Sequence, residues 1–314
     1  MHARPRLREA RRWLERNVVA PVALAVETMR AFRTRAEIAS FRQRGAVAHR
    51  FPEPPSESSR PRVLAVVTHV ADDSRPSEFF VRRLRTTLDG LLESLGHTRL
   101  EIVLNTLPGR HVASELPDYL ASRLSVRERT GVEPMFLGFE AQAEFVARAD
   151  EDDWFLYLED DLVLSEGLML EKLGYFNDGA PPNALLLPHR YEFWNGRKTY
   201  IDLVSKSTLQ WSWNRLTVIQ IESWKFAEFD NPHSGCYCLS RAQLHRWLET
   251  GRRWYGQVSY TAPRESAATG CLAESFRLYK PHPSNVNFFE IRHQDTKYAE
   301  FFAQIHEGER ASGG

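Results

Sequence analysis

Through the middle of this chain, apolar runs and helical stripes take turns. Residues 63–70 form an unbroken apolar run of the kind found in a strand buried on both faces of a parallel sheet. Residues 79–95 follow, with Leu84, Leu88, Leu91, Leu92 and Leu95 at helical spacing, and predict an amphipathic helix. The same reading gives a strand over 100–104, a helix over 116–129, a short strand over 134–139, a helix over 141–149, and strands over 154–158 and 184–187. Strands alternating with helices predict an α/β fold, a mixed sheet of Rossmann type flanked by helices.

The pattern changes on either side of this block. Residues 189–230 are rich in Trp, Tyr, Asn and Lys and show no clear period. A short strand over 236–239 then leads into a helix over 241–250, a loop over 251–264 and a helix over 265–278. Residues 301–314 read as a tail, without regular structure from Glu307 onward. At the other end, residues 7–45 read as helical with a break near Pro21. Trp13, Leu14, Val18, Val22, Val26, Met29 and Phe32 fall on one side and arginines on the other. Residues 51–61, FPEPPSESSRP, carry proline and serine without apolar period and form a linker. The expected organisation is a basic helical segment over 1–50, the linker, a catalytic domain over 62–300 and the tail.

Composition narrows the class. A chain of 314 residues can bury a sizeable core without covalent staples. Its three cysteines, Cys236, Cys238 and Cys271, are odd in number and lack C-x-x-C spacing, which points away from a disulfide framework and a zinc site. A reducing cytoplasm fits that usage. Lys+Arg equals Asp+Glu at 41 each, so no overall field favours nucleic acid. The charge is uneven, however. Residues 1–50 hold twelve arginines, no lysine and four glutamates, a net +8, which the remainder balances. Such an arm suits an anionic neighbour, either an acidic partner or the inner face of a membrane touched peripherally. No stretch reaches the roughly 18 apolar residues needed to span a bilayer. The short apolar run over 18–26 is followed by Glu27, Met29 and Arg30 rather than by a small-residue cleavage site, which reads against a cleaved export signal.

The sharpest chemistry is Trp154-Phe-Leu-Tyr-Leu-Glu159-Asp160-Asp161, an apolar strand running into three consecutive carboxylates. Ligands of α/β sheets bind beyond the carboxyl ends of strands. Alternation along a strand puts Glu159 and Asp161 on one side and Asp160 on the other. Two carboxylates on one side can hold a hard divalent cation that takes oxygen ligands and neutralises a departing diphosphate. The plain alternative is an acidic turn ending a strand in solvent. Three adjacent acids repel unless a cation compensates them.

The stretch LYLEDDLVLSEG resembles the D-x-D region of glycosyltransferases with the GT-A fold. That resemblance implies a nucleotide-sugar donor, a UDP-sugar, with Mn²⁺ or Mg²⁺, and a glycan, lipid-linked or protein acceptor. It makes Asp161 the main metal ligand and has Glu159 and Asp160 hold donor and metal. Glu159 stands where the family more often has Asp. Downstream, Ser234-Gly-Cys-Tyr-Cys-Leu-Ser240-Arg-Ala-Gln-Leu resembles the small-residue strand and following helix of beta-1,3-glycosyltransferases. Glu265-Ser-Ala-Ala-Thr-Gly-Cys-Leu-Ala matches the placement of their acidic motif, with Ser266 where a second acid usually stands. By that position Glu265 is the candidate base for an inverting transfer. The alternative is an acid that merely opens a helix. Chain order also makes His293 a candidate metal ligand, with His282 as substitute, and lets Arg292 and Lys297 hold the diphosphate. Thr68 and His69, ending the first strand, stand where the family binds the nucleotide base. The tryptophans 194, 211, 213 and 224 could stack an acceptor sugar or pack a core.

Three competing readings differ in what they need. A sugar-nucleotide nucleotidyltransferase usually carries a glycine-rich loop after its first strand, whereas this chain reads ADDSRPSEF there. A non-catalytic glycan-binding module would not need the acidic motif. A metal hydrolase would want several His and Asp ligands from different strands, and the HxH and DxH pairs are absent.

Overall fold

In the computed structural model the chain divides into two compact units, Met1–Ser56 and Glu57–Gly314. The structure describes residues 57–203, 217–229, 231–250 and 262–312, all in the second unit. The helix expected over 7–45, most of the linker, and Trp211 and Trp213 lie outside the described residues.

The α/β architecture is as the sequence leads one to expect. Strand β1 (Arg62–Thr68) lies at the middle of a five-stranded sheet, parallel to β2 (Arg99–Thr106) on one side and β4 (Trp154–Glu159) on the other. Strand β3 (Leu124–Glu128) continues beyond β2, and β11 (Cys236–Ser240) pairs antiparallel to β4, giving the order β11-β4-β1-β2-β3. The parallel strands thus run 3-2-1-4, with the reversal of a doubly wound sheet between β1 and β4.

The unbroken apolar run of β1 exists because both its faces are covered. Val63, Ala65 and Val67 pack with Leu84, Leu88, Leu91 and Leu95 of helix α1 (Ser77–Leu95). Leu64 and Val66 belong to the opposite core, with Ala141 and Phe145 of the later helix over Glu140–Ala147 and Leu244 and Trp247 of that over Arg241–Glu249. The last of these helices is opened by Ser240 and Gln243, which cap each other's backbone reciprocally.

Several local expectations give way to longer-range pairing. In place of a helix over 116–129 there is a single turn, α2 (Asp118–Ala121), and then β3, whose backbone is satisfied by β2 while its side chains stay largely exposed. The stretch Pro134–Phe139 is a 3₁₀ turn rather than a strand, opened by Pro134, and leads directly into α3 (Glu140–Ala147). Helix α4 (Met169–Gly179) precedes β6 (Ala184–Leu186), which lies outside the central sheet in the order β6-β12-β10-β9.

Among the described residues, the aromatic segment without period contains four strands. The hairpin of β7 (His189–Trp194) and β8 (Arg197–Tyr200) turns on Asn195 and Gly196, both at positive φ. Strands β9 (Val218–Ile221) and β10 (Trp224–Glu228) form a second antiparallel pair. After α5 (Arg241–Glu249), the helix expected over 265–278 breaks into α6 (Pro263–Glu265), a π-turn over Ser266–Gly270 and α7 (Cys271–Ala273). Leu278 belongs instead to β12 (Arg277–Pro281), where pairing with β6 and β10 outweighs local helical spacing. A third sheet has the order β5-β13-β7-β8, with β5 (Leu162–Val163) and β13 (Glu290–His293). The expected tail is partly regular: α8 spans Lys297–Ser312, with Ala299 and Phe302 buried and the Ala299 N–H donated to Glu192 Oε2 at 2.7 Å. The three cysteines are buried and free. No helix among the described residues is long and apolar enough to cross a membrane.

A buried charge cluster ties the β7 sheet to β12. Asp202 is fully buried and accepts from Arg190 Nε at 3.0 Å, Arg190 Nη2 at 2.8 Å and Lys280 Nζ at 2.7 Å. Burial alone would raise the Asp202 carboxyl, but Arg190 and Lys280 outweigh it and hold it well below the usual carboxylate range. Burial pushes Lys280 down to about 8, so the pair is charged at neutral pH and its acid limb belongs to Asp202. A carboxyl whose folded pKa is depressed contributes stability above its unfolded value of about 3.9 and loses it as pH falls below. Asp202→Asn is therefore expected to cost about 3 kcal/mol at pH 7, because two cations stay buried without a counter-charge. Its stability should also fall less steeply than the parent's between about pH 4 and pH 2. Urea melts across that range check both statements.

Candidate active site

The cleft of interest opens at the reversal point, between the carboxyl ends of β1 and β4. Thr68 pairs with Glu159 in register, so the end of the apolar run and the start of the acidic run lie side by side. Glycine shapes this place twice. A Cβ on Gly235, whose φ is +64°, would stand 2.8 Å from Glu159 Oε2. A Cβ on Gly90 would stand 2.5 Å from the Leu164 carbonyl oxygen, so the chain leaving the acids can pass close against α1.

That close passage brings α1 to the acids. Arg83 Nη2 lies 3.0 Å from Asp160 Oδ1 and 2.8 Å from Asp161 Oδ2. His69 Nδ1 lies 2.6 Å from the other Asp160 oxygen. His293 reaches Asp161 Oδ2 with Nε2 at 3.3 Å and Glu192 Oε1 with Nδ1 at 2.7 Å. The result is an alternating chain of groups, Glu192–His293–Asp161–Arg83–Asp160–His69, across the strand ends. Backbone bonds fix it further: the Asp160 carbonyl accepts from Thr87 Oγ1 at 2.7 Å, and the Gln294 N–H donates to the Asp161 carbonyl at 2.8 Å.

The carboxylates therefore differ in character. Burial would raise Asp161, but the His293 hydrogen bond and Arg83 hold it well below the usual range. Glu159, half-buried at the cleft floor, is pushed up by burial and by the neighbouring Asp161 charge, with Arg190 and Arg264 opposing. Burial works against charge on His293, yet its bonds to Asp161 and Glu192 prevail and raise it to about 9. It is an imidazolium at neutral pH, donating from both ring nitrogens.

The cleft holds about 280 Å³. Thr68, His69, Glu159, Asp160 and Asp161 all line it. Phe79, Pro134, Leu137 and Tyr157 supply apolar wall, and Arg75, Arg83 and Arg264 supply cations. A second cavity of about 410 Å³ adjoins it across Arg83 and Asp161, and Arg292 lines that one. Glu265 lines neither cavity, although its neighbour Arg264 lines the first; its Oε2 is buried with no hydrogen-bond partner among the described residues. Lys297 is exposed, 4.0 Å from Asp295, and His282 caps its own 3₁₀ turn by accepting from the Ser284 N–H at 3.1 Å. Trp194 and Trp224 line neither cavity, and Trp224 packs on Phe288 with ring centroids 4.9 Å apart.

As arranged, Asp161, Glu159 and His293 do not form a cation shell. Arg83 and His293 both occupy Asp161 Oδ2, and among the described residues no three His, Cys, Asp or Glu side chains are disposed to hold a metal ion. One buried carboxylate oxygen, Asp161 Oδ1, stays without a partner. With Arg83 and His293 both on Asp161, this arrangement does not present the several convergent oxygens that Mg²⁺ or Mn²⁺ require.

Sequence reasoning missed Arg83, Glu192, Arg190, Arg264 and Gln294. Arg83 left a signal, since it stands on the buried stripe of α1 between Phe80 and Thr87, where an apolar residue is expected. Glu192 left one too, as an acid set among aromatics in Tyr191-Glu192-Phe193-Trp194.

Neither a family model nor a curated protein sequence matches the chain. Among solved structures it is similar to a CMP:2-keto-3-deoxy-manno-octonic acid synthetase complexed with CTP, at 11% identity, covering 70% of this chain and 89% of that one, with a TM-score of 0.36. It is also similar to a glycosyltransferase involved in glycosylation of the major capsid of PBCV-1, at 12% identity, covering 76% of this chain and 97% of that one, with a TM-score of 0.36. Likenesses this distant carry no weight for function, which has to be read from the site itself.

Proposed function

We propose that the protein is a glycosyltransferase that takes a sugar from a nucleotide-sugar donor, a UDP-sugar, and passes it to an acceptor hydroxyl. One observation carries the reading: a cleft lined by three consecutive acids and by arginines opens at the reversal point of a doubly wound sheet, where such folds bind nucleotides. The GT-A-like assignment and the D-x-D reading of residues 159–161 belong to this proposal. The base of the donor rests on the apolar wall of Pro134 and Leu137 beside Thr68. Its diphosphate faces Arg75 and Arg264, cations for which no ion pair is seen among the described residues. Asp160 and Asp161, held rigid by Arg83 and the two histidines, orient the sugar.

The acceptor oxygen attacks the anomeric carbon, the bond from that carbon to the diphosphate breaks, and the nucleoside diphosphate leaves with the electron pair. One carboxylate takes the acceptor's proton, and configuration inverts. A base must lie within hydrogen-bond reach of that proton and have a pKa near the working pH. Glu159 lies inside the cleft and is raised, whereas Glu265 lines neither cavity.

The test is a thermal-shift panel of nucleoside diphosphates with and without Mn²⁺. UDP at about 100 times its Kd adds about 2.7 kcal/mol. That corresponds to a Tm rise of roughly 5–10 °C for a unit of this size. The Mn²⁺ arm shows whether a divalent cation contributes. No shift with any nucleotide in either arm would sink the reading.

A further inference from the structure

We infer that the second cavity is an anion subsite that takes a phosphoryl group on the acceptor. The inference rests on the glycosyltransferase reading for the word acceptor, but the subsite itself rests on Arg82 and Arg292, which line this cavity and not the first.

The cavity is lined by Arg75, Arg82, Arg83 and Arg292 against Asp161 and Asp295, a net +2. Arg83 is committed to Asp160 and Asp161. For the guanidinium groups of Arg75, Arg82 and Arg292 no ion pair or hydrogen bond is seen among the described residues. Each lies instead near an aromatic ring: Arg75 and Arg82 at 5.6 and 6.0 Å from the Phe79 centroid, Arg292 at 5.7 Å from that of Phe193. A guanidinium set against a ring is steered by its flat side and keeps its N–H edge for a ligand.

The neutral donors of the cavity are already engaged. Thr86 Oγ1 donates to the Arg82 carbonyl at 2.8 Å, and the Gln294 amide donates to Thr87 Oγ1 at 2.9 Å and to the Arg83 carbonyl at 3.0 Å. What the cavity offers a ligand is therefore guanidinium. Planar forks of this kind match the oxygens of a phosphate, and the two that belong to this cavity alone, Arg82 and Arg292, suit a doubly charged phosphate better than a single carboxylate. Arg75, Phe79, Arg83, Asp161 and Asp295 line both cavities, so a group anchored on Arg82 and Arg292 would present a neighbouring hydroxyl toward the acids. A phosphorylated saccharide and a prenyl phosphate share the chemistry.

The test is calorimetric titration of the full chain with inorganic phosphate, a hexose 6-phosphate and a water-soluble short-chain prenyl phosphate. The unphosphorylated hexose and UDP serve as controls. The same titrations are run on an Arg82→Gln/Arg292→Gln double variant; both side chains are exposed, and circular dichroism confirms the fold. Saturable binding of at least one phosphate ester but not the neutral hexose is expected, weakened about tenfold or more in the double variant, with UDP affinity kept within about twofold. Which ester binds tighter identifies the source of the phosphate. Absence of saturable binding by every phosphate, or equal binding by the double variant, overturns the subsite. If the phosphates bind and UDP does not, the subsite stands and the glycosyltransferase reading falls.

Discussion

Arg83→Met is expected to be the most destabilising single change in the site. Its Nη2 is shared by Asp160 and Asp161, and both carboxylates are largely removed from water. Methionine keeps the aliphatic length but leaves two close carboxylates facing one another. Breaking a buried ion pair from one side costs about 3–5 kcal/mol. Because Arg83 is about a quarter exposed, solvent screens part of this and the lower end applies, about 3 kcal/mol. For a unit of this size that is a Tm drop of roughly 6–12 °C. Thermal melts at pH 7 read the loss. Lowering the pH should shrink the difference between variant and parent, because Arg83 helps to hold Asp161 below the usual carboxylate range and that contribution is lost as Asp161 is protonated. A variant as stable as the parent at pH 7 would mean that the acids are compensated by something other than this guanidinium.

The second large effect separates chemistry from stability. Glu159→Gln keeps the shape of the side chain on the cleft floor and removes its ability to take a proton. Turnover is expected to fall by roughly 10²-fold or more, with nucleotide affinity changed only a few-fold. Stability should move the other way. The folded pKa of Glu159 is raised above its unfolded value of about 4.3, so in that window the folded protein holds more protons than the unfolded chain. Stability drawn from this group is present at low pH and is lost as pH rises through the folded pKa. Glutamine removes that loss, so at pH 8 the variant should melt no lower than the parent. A more stable and far slower enzyme is what a strained catalytic carboxylate predicts. A Glu265→Gln variant made alongside should lose much less turnover, since its carboxylate lies outside the cleft.

The parts legible in the sequence are those governed by local pattern and burial. The runs that became β1, α1 and β4 could be read because each is covered along most of its length, and burial imposes its period on the residues. The acids at 159–161 could be read because three adjacent carboxylates at the end of a buried strand repel one another unless cations compensate them. Less legible was anything settled by a partner far away in the chain. Strand β3 exists because β2 offers it an edge, and its own residues carry little apolar signal. The β7–β8 hairpin did leave a mark, Asn195-Gly196, but the surrounding aromatics obscured it. In the site, Thr68, His69 and the acids were readable from strand ends. Arg83, which pairs with both aspartates, comes from a helix and depends on how closely α1 passes at Gly90, while Glu192, which holds His293 beside Asp161, comes from a separate sheet. Glu265 was assigned by position in the chain, and the π-turn that follows it leaves Arg264, not Glu265, lining the cleft.

The central claim is that this cleft cleaves the bond between a sugar and a nucleoside diphosphate. The most direct measurement is ³¹P NMR of the full chain incubated with UDP-sugars, and separately with nucleoside triphosphates and sugar 1-phosphates, each with and without Mn²⁺ and a phosphorylated acceptor. The account predicts release of UDP from a UDP-sugar, dependent on Asp161 and Glu159, with no pyrophosphate formed in the triphosphate arm. Pyrophosphate release from a triphosphate and a sugar phosphate, or no phosphorus-containing product under any condition, would contradict it.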